Sequence, residues 1–382
     1  MAETLGLLLR AGFEREAIVT TPTWPAAVAA ALTALVPLLN VDPQDGIETA
    51  IHDGGSSGLG AEQAIITNVR PSAPLTLKAQ YQGLEQLWSC ALGYMAKRIG
   101  TTVMPELLAT GVYRHLYEID ARLGTSEAWD TTLDGFLAAE LSSGQRKVRR
   151  GTFAVDMQVS VWEWLSCMVS SLTLAAEPGG VTLTIELLAH SLSRASGVNT
   201  SATMLRLLPP TTPGLLFTDL AVRVAPYSTT TPLASTDAVQ CTSWTLHLDN
   251  HLTAASGPRT GTAPEEYERD APPMVSLTMV LPRHTADTWQ TRWGAGTVLM
   301  ADAKFTSETL IAVGQPYKCN IYLPSCQAVG ADLNIAGARV PPDTVTLAAI
   351  VPTAAAAGFP TASHAGPLTV EIVSGLATHP LL

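Results

Sequence analysis

The sequence predicts a mainly β fold with flanking helices, and three observations carry that expectation. Of the 382 residues 47% are hydrophobic and only 14% charged, the balance of a folded chain with low surface charge density rather than a disordered one. Several segments alternate apolar and polar residues with period two, the pattern of half-buried strands. The stretch from Cys241 to Leu323 reads as a strand, a long polar loop, a second strand, a short tryptophan helix and two more strands, and residues 40–100 repeat the front half of that plan. Such a duplication points to a building block rather than a catalyst, and the length accommodates two domains, each with its own core.

Taken in order, residues 1–40 are apolar and punctuated by proline, and Ala26–Leu35 reads equally as helix or buried extended chain. Asn40–Val69 is expected to be a long polar loop, with Gly54–Gly58 at its flexible tip. Pro74–Ala79 is a short strand. Leu84, Leu87, Trp88, Ala91, Leu92, Met95 and Ile99 then form the i, i+3, i+4, i+7 stripe of an amphipathic helix. Ser170–Ala176 and Val181–Ala189 flank Pro178-Gly179-Gly180, which is hairpin chemistry.

The Thr/Pro/Ser-rich segment Ser196–Pro213 marks a domain boundary, dividing the chain into 1–205 and 206–382. The second unit opens with a strand at Leu215–Val224. In Ser243–Asn250, Trp244, Leu246 and Leu248 point one way, and Val275, Leu277, Met279 and Leu281 do the same downstream. Between these two lies the loop Thr253–Pro273. A helix at His284–Trp293 carries Trp289 and Trp293 on one face. Two further strands, Thr344–Val351 and Leu368–Val373, bracket a small-residue loop in the tail.

Little in the chain carries reaction chemistry. Its five cysteines are scattered, odd in number and never in a CxxC pair, which argues against a zinc site or disulfide framework; Cys90 and Cys319 read as core residues. The eight histidines never pair at i, i+4, and no HExxH occurs. Gly54–Gly58 matches the G-x-S-x-G string of a nucleophile elbow, but its flanks are polar where that motif needs a buried strand. No catalytic, cofactor-binding or metal-binding residue is assigned, and no cofactor is expected. The apolar run Ala26–Leu39 is interrupted by Pro37 and is too short to span a bilayer. A formal net charge of −11 argues against a nucleic-acid-gripping surface; the one basic cluster, Arg146, Lys147, Arg149 and Arg150, reads as a solvated hairpin tip.

Three stretches carry a family resemblance: LTLKAQYQGLEQLWSCALG at Leu75–Gly93, the paired strands around the glycine turn from Trp164 to Ala189, and Leu215–Asn250 from LLFTDLAVRV to SWTLHLDN. In these the chain resembles the tail tube proteins of long-tailed, siphovirus-like bacteriophages, of the type in which the tube fold occurs twice per chain. The likeness covers most of residues 13–335; the tail from Gly337 to Leu382 lies outside it.

The resemblance implies two tandem antiparallel β-sandwich or barrel domains, each with one packed helix. It implies a structural virion protein whose trimers form pseudo-hexameric rings, stacked into a hollow conduit for DNA ejection. Its partners would be itself, the tape measure, terminator and distal tail proteins at the tube ends, and double-stranded DNA passing without specific binding. It would reside in the virion tail after assembly in the host cytoplasm. The two long loops would then contact neighbouring subunits or rings, through Asp45, Asp53, Arg259, Glu265, Glu266, Tyr267, Glu268, Arg269 and Asp270. The second of them, with Tyr267 its one large apolar group, is expected to order only against a neighbour. The alternative is a baseplate- or adhesin-type β-sandwich that binds surfaces or carbohydrate. That would need exposed aromatics, and only Trp24 and Trp129 of the eight tryptophans fall outside strand or core-periodic positions.

Overall fold

Two long bent strands organise the chain. In the computed structural model, which describes residues 10–16, 29–52, 63–92, 105–119, 150–194, 197–208, 211–255, 266–283, 286–333, 343–360 and 366–377, the first half supplies β1 (Arg10–Arg15), β2 (Leu38–Val41), β3 (Ile47–His52), β4 (Gln63–Val69), β5 (Ser72–Lys78), helix α1 (Glu85–Leu92), β6 (Glu106–Ala109), β7 (Val112–Glu118), β8 (Gly151–Asp156), β9 (Val161–Glu177), β10 (Gly180–Leu188) and β11 (Ser191–Ser193). A short helix α2 (Ser201–Met204) follows. The second half supplies β12 (Leu220–Pro226), β13 (Ala238–Val239), β14 (Ser243–Asp249), β15 (Leu252–Ala255), β16 (Glu266–Arg269), β17 (Met274–Val280), α3 (Thr288–Gly294), β18 (Val298–Ala312), β19 (Gln315–Leu333), β20 (Asp343–Ala349) and β21 (Thr369–Ser374). The protein is mostly β, and these strand pairings are antiparallel.

The pairing order of the first half recurs in the second. In each, a strand (β2, β14) is followed by a hairpin (β3–β4, β15–β16) and by a strand (β5, β17) that pairs back with the first. A helix comes next (α1, α3). Then a strand (β8, β18) pairs with the early part of a long strand (β9, β19). The late part of that long strand pairs with the strand after it (β10, β20), which in turn lies against β5 or β17. A final strand (β11, β21) returns to the early part of the long one. Even the irregularities correspond. β9 skips Ser170 opposite Glu186/Leu187, and β19 skips Val329 between Ala328 and Gly330. On that register Ser166-Cys167 and Ser325-Cys326 occupy the same place, where each long strand leaves one set of partners for the other. β6 and β7 are an addition to the first half, and β7 pairs with β21.

The halves are joined through β9, whose late part carries β10 on one edge and β14 on the other. A single sheet therefore runs β2-β5-β10-β9-β14-β17-β20-β19 across both. One face of it is apolar for a local reason: Leu183, Leu174, Leu246, Leu277 and Leu347 lie side by side across successive strands, so every strand turns its apolar set the same way. The core spans both halves without a break, from Ala11 to Ile372. Its largest members meet in rings: Phe153 on Trp164 with centroids 5.5 Å apart, and Trp244 edge-on to Phe305 at 6.1 Å. Fully burying a leucine of this kind contributes about 1.5–3 kcal/mol.

Several sequence expectations need correction. Asn40–Val69 is not a loop, since it holds the end of β2 and all of β3 and β4; the β-branched residues of Ile47–Ile51 and Ile65-Ile66 outweighed its polar and glycine-rich composition. Thr253–Pro273 likewise contains β16 and most of β15, which pair from Leu252↔Arg269 to Ala255↔Glu266. The strand expected at Leu215–Val224 begins as a 3-10 turn at Phe217–Asp219 and becomes β12 only at Leu220. Asp219 there accepts a hydrogen bond from the Tyr81 hydroxyl at 2.9 Å. Trp289 is buried but Trp293 is 46% exposed, because the helix is two turns long and ends at Gly294. Helix α1 is described to Leu92; residues 93–99 of the expected helix fall outside the described residues, as do Gly54–Gly58, Trp24, Trp129 and the basic residues Arg146, Lys147 and Arg149.

Candidate functional site

Opposite its apolar face, the long sheet presents hydroxyls and carboxylates. Period two makes this automatic: where Leu174, Leu246 and Leu277 go inward, their neighbours go out. One cross-strand row reads Thr76, Thr184, Thr173, His247, Ser276 and Ala348. The next reads Lys78, Thr182, Ala175, Thr245, Thr278 and Thr346. Within them Thr173 Oγ1 and His247 Nδ1 lie 2.9 Å apart, and Thr278 and Thr346 share a hydroxyl contact at 3.3 Å. Glu186, Ser171 and Asp249 form a third row. Short hydroxyls with a few carboxylates give a smooth, weakly acidic wall without a pocket-forming side chain.

The hairpins β3–β4 and β15–β16 are the second feature. Each arises between strands of the long sheet, at the same point of the repeat. The base of β15–β16 is anchored in its own chain: Tyr267 is 2% exposed, packs with Met168, Leu188, Leu252 and Ala254, and donates its hydroxyl to the Ala189 carbonyl at 3.2 Å. Burial raises the Tyr267 pKa to about 12. Beside it the fully buried Asn250 donates to the carbonyls of Ala91 and Val169 at 3.1 and 3.0 Å, tying hairpin, helix α1 and β9 together. The expectation that this segment orders only against a neighbour is thus overturned for its base, because Tyr267 finds an apolar pocket within the chain.

Two buried carboxylates, Asp302 and Glu371, tie the early part of β19 to its neighbours. Arg223 grips Asp302 with a forked pair, Nε to Oδ1 at 2.9 Å and Nη2 to Oδ2, while Lys304 Nζ lies 3.4 Å from Oδ2. Glu371 accepts from Asn320 at 2.9 Å and from the Tyr322 hydroxyl at 2.7 Å, with Arg114 Nη1 at 3.5 Å, which fastens the added β7 to β21 and β19. Sequence reading missed these groups. Their signal was faint: charged residues inside otherwise apolar strands, as in Leu299–Phe305 and Thr369–Val373, and the Ser-Cys pair recurring at 166–167 and 325–326.

The expected contact residues are only partly brought together. Asp45 is paired with Arg194 of the same chain, an exposed pair of the kind that contributes about 0–1 kcal/mol. Glu266, Tyr267, Glu268 and Arg269 sit on β16, and Asp270 follows it, exposed. Asp53, Arg259 and Glu265 lie outside the described residues. Among the described residues no group of three or more His, Cys, Asp or Glu is placed to hold a metal ion, and no helix is long and apolar enough to cross a membrane.

A family model described as phage tail tube protein matches residues 56–349, well over half of the chain. The chain belongs to the phage tail tube protein family. It is therefore a structural component of the virion tail, built to assemble with itself and with other tail proteins. A search of curated protein sequences gave no match. For a tail tube protein, the features that matter are the smooth polar face, the two sheet edges and the two hairpins.

Proposed function

We propose that the chain is the ring-forming unit of the tube, with two tube-fold copies at 1–205 and 206–382, and that three chains close a pseudo-hexameric ring. Rings stack into a hollow conduit through which DNA passes into the host during ejection. Tape measure, terminator and distal tail proteins cap the stack, and assembly takes place in the host cytoplasm. The observation that carries this reading is the continuous sheet from β2 to β19, apolar on one face and Thr/Ser-rich on the other. With about 24 strands from three chains, spaced by about 4.8 Å and tilted by about 40°, a closed barrel has a backbone radius of roughly 24 Å. That leaves a bore wide enough for a duplex. The wall facing it carries Glu186, Asp249 and short hydroxyls, with Lys78 near its edge as a lone lysine in these rows, so phosphates meet a surface of weakly like charge rather than a basic face.

In this reading the hairpins β3–β4 and β15–β16 reach the adjacent ring, with Asp45, Asp53, Arg259, Glu265, Glu266, Glu268, Arg269 and Asp270 supplying polar contacts. Negative-stain microscopy of the purified protein tests it, with hollow tubes or rings expected. Removing residues 257–264, which spares Tyr267, should leave folded protomers or single rings that no longer stack. Compact particles that never form rings would overturn the reading.

A further inference from the structure

We propose that Lys304 and Asn320 join through an intramolecular isopeptide bond between β18 and β19, with Glu371 on β21 as the group that moves the proton. The bond goes beyond the tube reading and does not depend on it.

The three residues form one row across three adjacent strands, Lys304 opposite Asn320 and Asn320 opposite Glu371. Residues directly opposite in an antiparallel pair project to the same face, with Cβ atoms about 4.5–5.5 Å apart. The flexible four-carbon stem of a lysine spans that gap and can set its amine on the side-chain carbon of the asparagine. The amine already leans toward β19. Nζ lies 5.6 Å from the centre of the Tyr322 ring, two residues along from Asn320, and 3.4 Å from Asp302 Oδ2.

Asn320 is held as an acyl donor. Its Nδ2 donates to Glu371 Oε2 at 2.9 Å, while its Oδ1 is buried and takes no hydrogen bond. The amide is thus gripped by the nitrogen that leaves, and its carbonyl carries no bond that attack would have to break. The Tyr322 hydroxyl donates to the same Oε2 at 2.7 Å, and Arg114 Nη1 stands 3.5 Å from Oε1, so the carboxylate is fixed from both sides. Asn320, Tyr322 and Glu371 are buried, and Phe359 packs on Tyr322 with ring centroids 5.1 Å apart. Such surroundings strengthen the hydrogen bonds that orient the amide. The Lys304 side chain is 34% exposed, which leaves an outlet for the departing ammonia.

The repeat does not require this set. Matching Ser166-Cys167 to Ser325-Cys326 puts Asp156↔Val161 where Lys304↔Asn320 stands, and that pair can form no such bond. What differs is the hairpin. β18–β19 runs on past this row to Ala312 and Gln315, while β8–β9 turns at it, and the longer tip exposes Leu310 and Val313. A covalent tie at the row closes the hairpin below its tip and limits how far it can unzip.

The reaction balances without an oxidant or cofactor. After the lysine ammonium releases one proton to solvent, Nζ attacks Cγ of Asn320 and the carbonyl π pair moves onto Oδ1. Both nitrogens then sit on one carbon, so Glu371 can take the extra proton from Nζ and pass it to Nδ2. The carbonyl re-forms, the Cγ–Nδ2 bond breaks, and ammonia leaves and takes up a proton from solvent. An amine and a primary amide become a secondary amide and ammonia.

Mass spectrometry of the denatured full-length protein tests the bond. Wild-type protein should weigh one ammonia less than its sequence. Proteolytic mapping should place that loss in a branched peptide joining positions 304 and 320, with trypsin unable to cut after Lys304. Lys304→Arg keeps a cation beside Asp302, and Glu371→Gln keeps an acceptor for Asn320; both should show the unreacted mass with a circular dichroism spectrum like that of wild type. Wild-type protein without the branched peptide, in protomers and assemblies alike, would overturn the proposal whether or not the variants fold. An ammonia loss mapped to other residues would overturn it equally. A 304–320 link that persists in Glu371→Gln would support the bond and overturn the part given to Glu371. None of these outcomes bears on whether rings form, so the tube reading is tested separately.

Discussion

Ser166 gives both its backbone N–H and its hydroxyl to the carboxylate of Glu16, at 2.6 and 2.8 Å, at the point where β9 bends from one set of partners to the other. Ser166 has φ of 53°, a left-handed value uncommon for a residue with a side chain. The carboxylate compensates by also accepting from Thr152 Oγ1 at 3.1 Å. Glu16→Ala strands these donors in the interior and should destabilise the protomer by about 3 kcal/mol. Denaturant titration reads this, and a loss below half a kcal/mol would refute the bend's dependence on Glu16.

Arg223 and Asp302 are expected to be far more costly to break than to replace. Asp302 is 1% exposed, so Arg223→Met leaves a buried carboxylate with only Lys304 beside it and should cost about 3–5 kcal/mol. Arg223→Met/Asp302→Leu should recover much of that loss. A double variant no more stable than Arg223→Met alone would show that the pair is not a closed unit.

Glu85 makes stability pH-dependent. Burial raises its carboxyl from 4.5 to about 7, against backbone N–H groups that lower it. The folded state therefore holds a proton that the unfolded chain has released between about pH 4.5 and 7, and stability falls as pH rises through that window. The full difference corresponds to about 3 kcal/mol. Glu85→Gln should flatten the slope and be the more stable protein at pH 8. Equal slopes for both proteins in urea melts from pH 5 to 8 would contradict this.

Tyr267→Ala should release the base of the β15–β16 hairpin while sparing the core. Removing a buried aromatic of this size costs about 3–5 kcal/mol where the site cannot collapse. Amide exchange should speed up at Leu252–Ala255 and Glu266–Arg269, with Ser171–Ala176 of β9 and Val181–Ile185 of β10 unchanged. Acceleration spread evenly over the sheet would mean that the hairpin is part of the core's cooperative unit.

Much of this architecture was legible because it is written locally. Period-two alternation marked Ser243–Asn250 and Val275–Leu281, proline and glycine marked the β9–β10 turn, and the order of strand, long polar loop, strand and helix exposed the repeat. Those signals depend on neighbours a few residues apart. What remained hidden depends on residues that meet only in space. Tyr267 reads as a lone aromatic in a polar loop until Met168 and Leu188 are brought beneath it, and Ile47–Val69 reads as loop until its two β-branched runs are laid side by side. The edges of β2 and β19, which carry no partner strand among the described residues, belong wholly to the tertiary structure. An edge is the absence of a partner along one side of a strand, and no residue type encodes that; it follows from which strands the fold has already used.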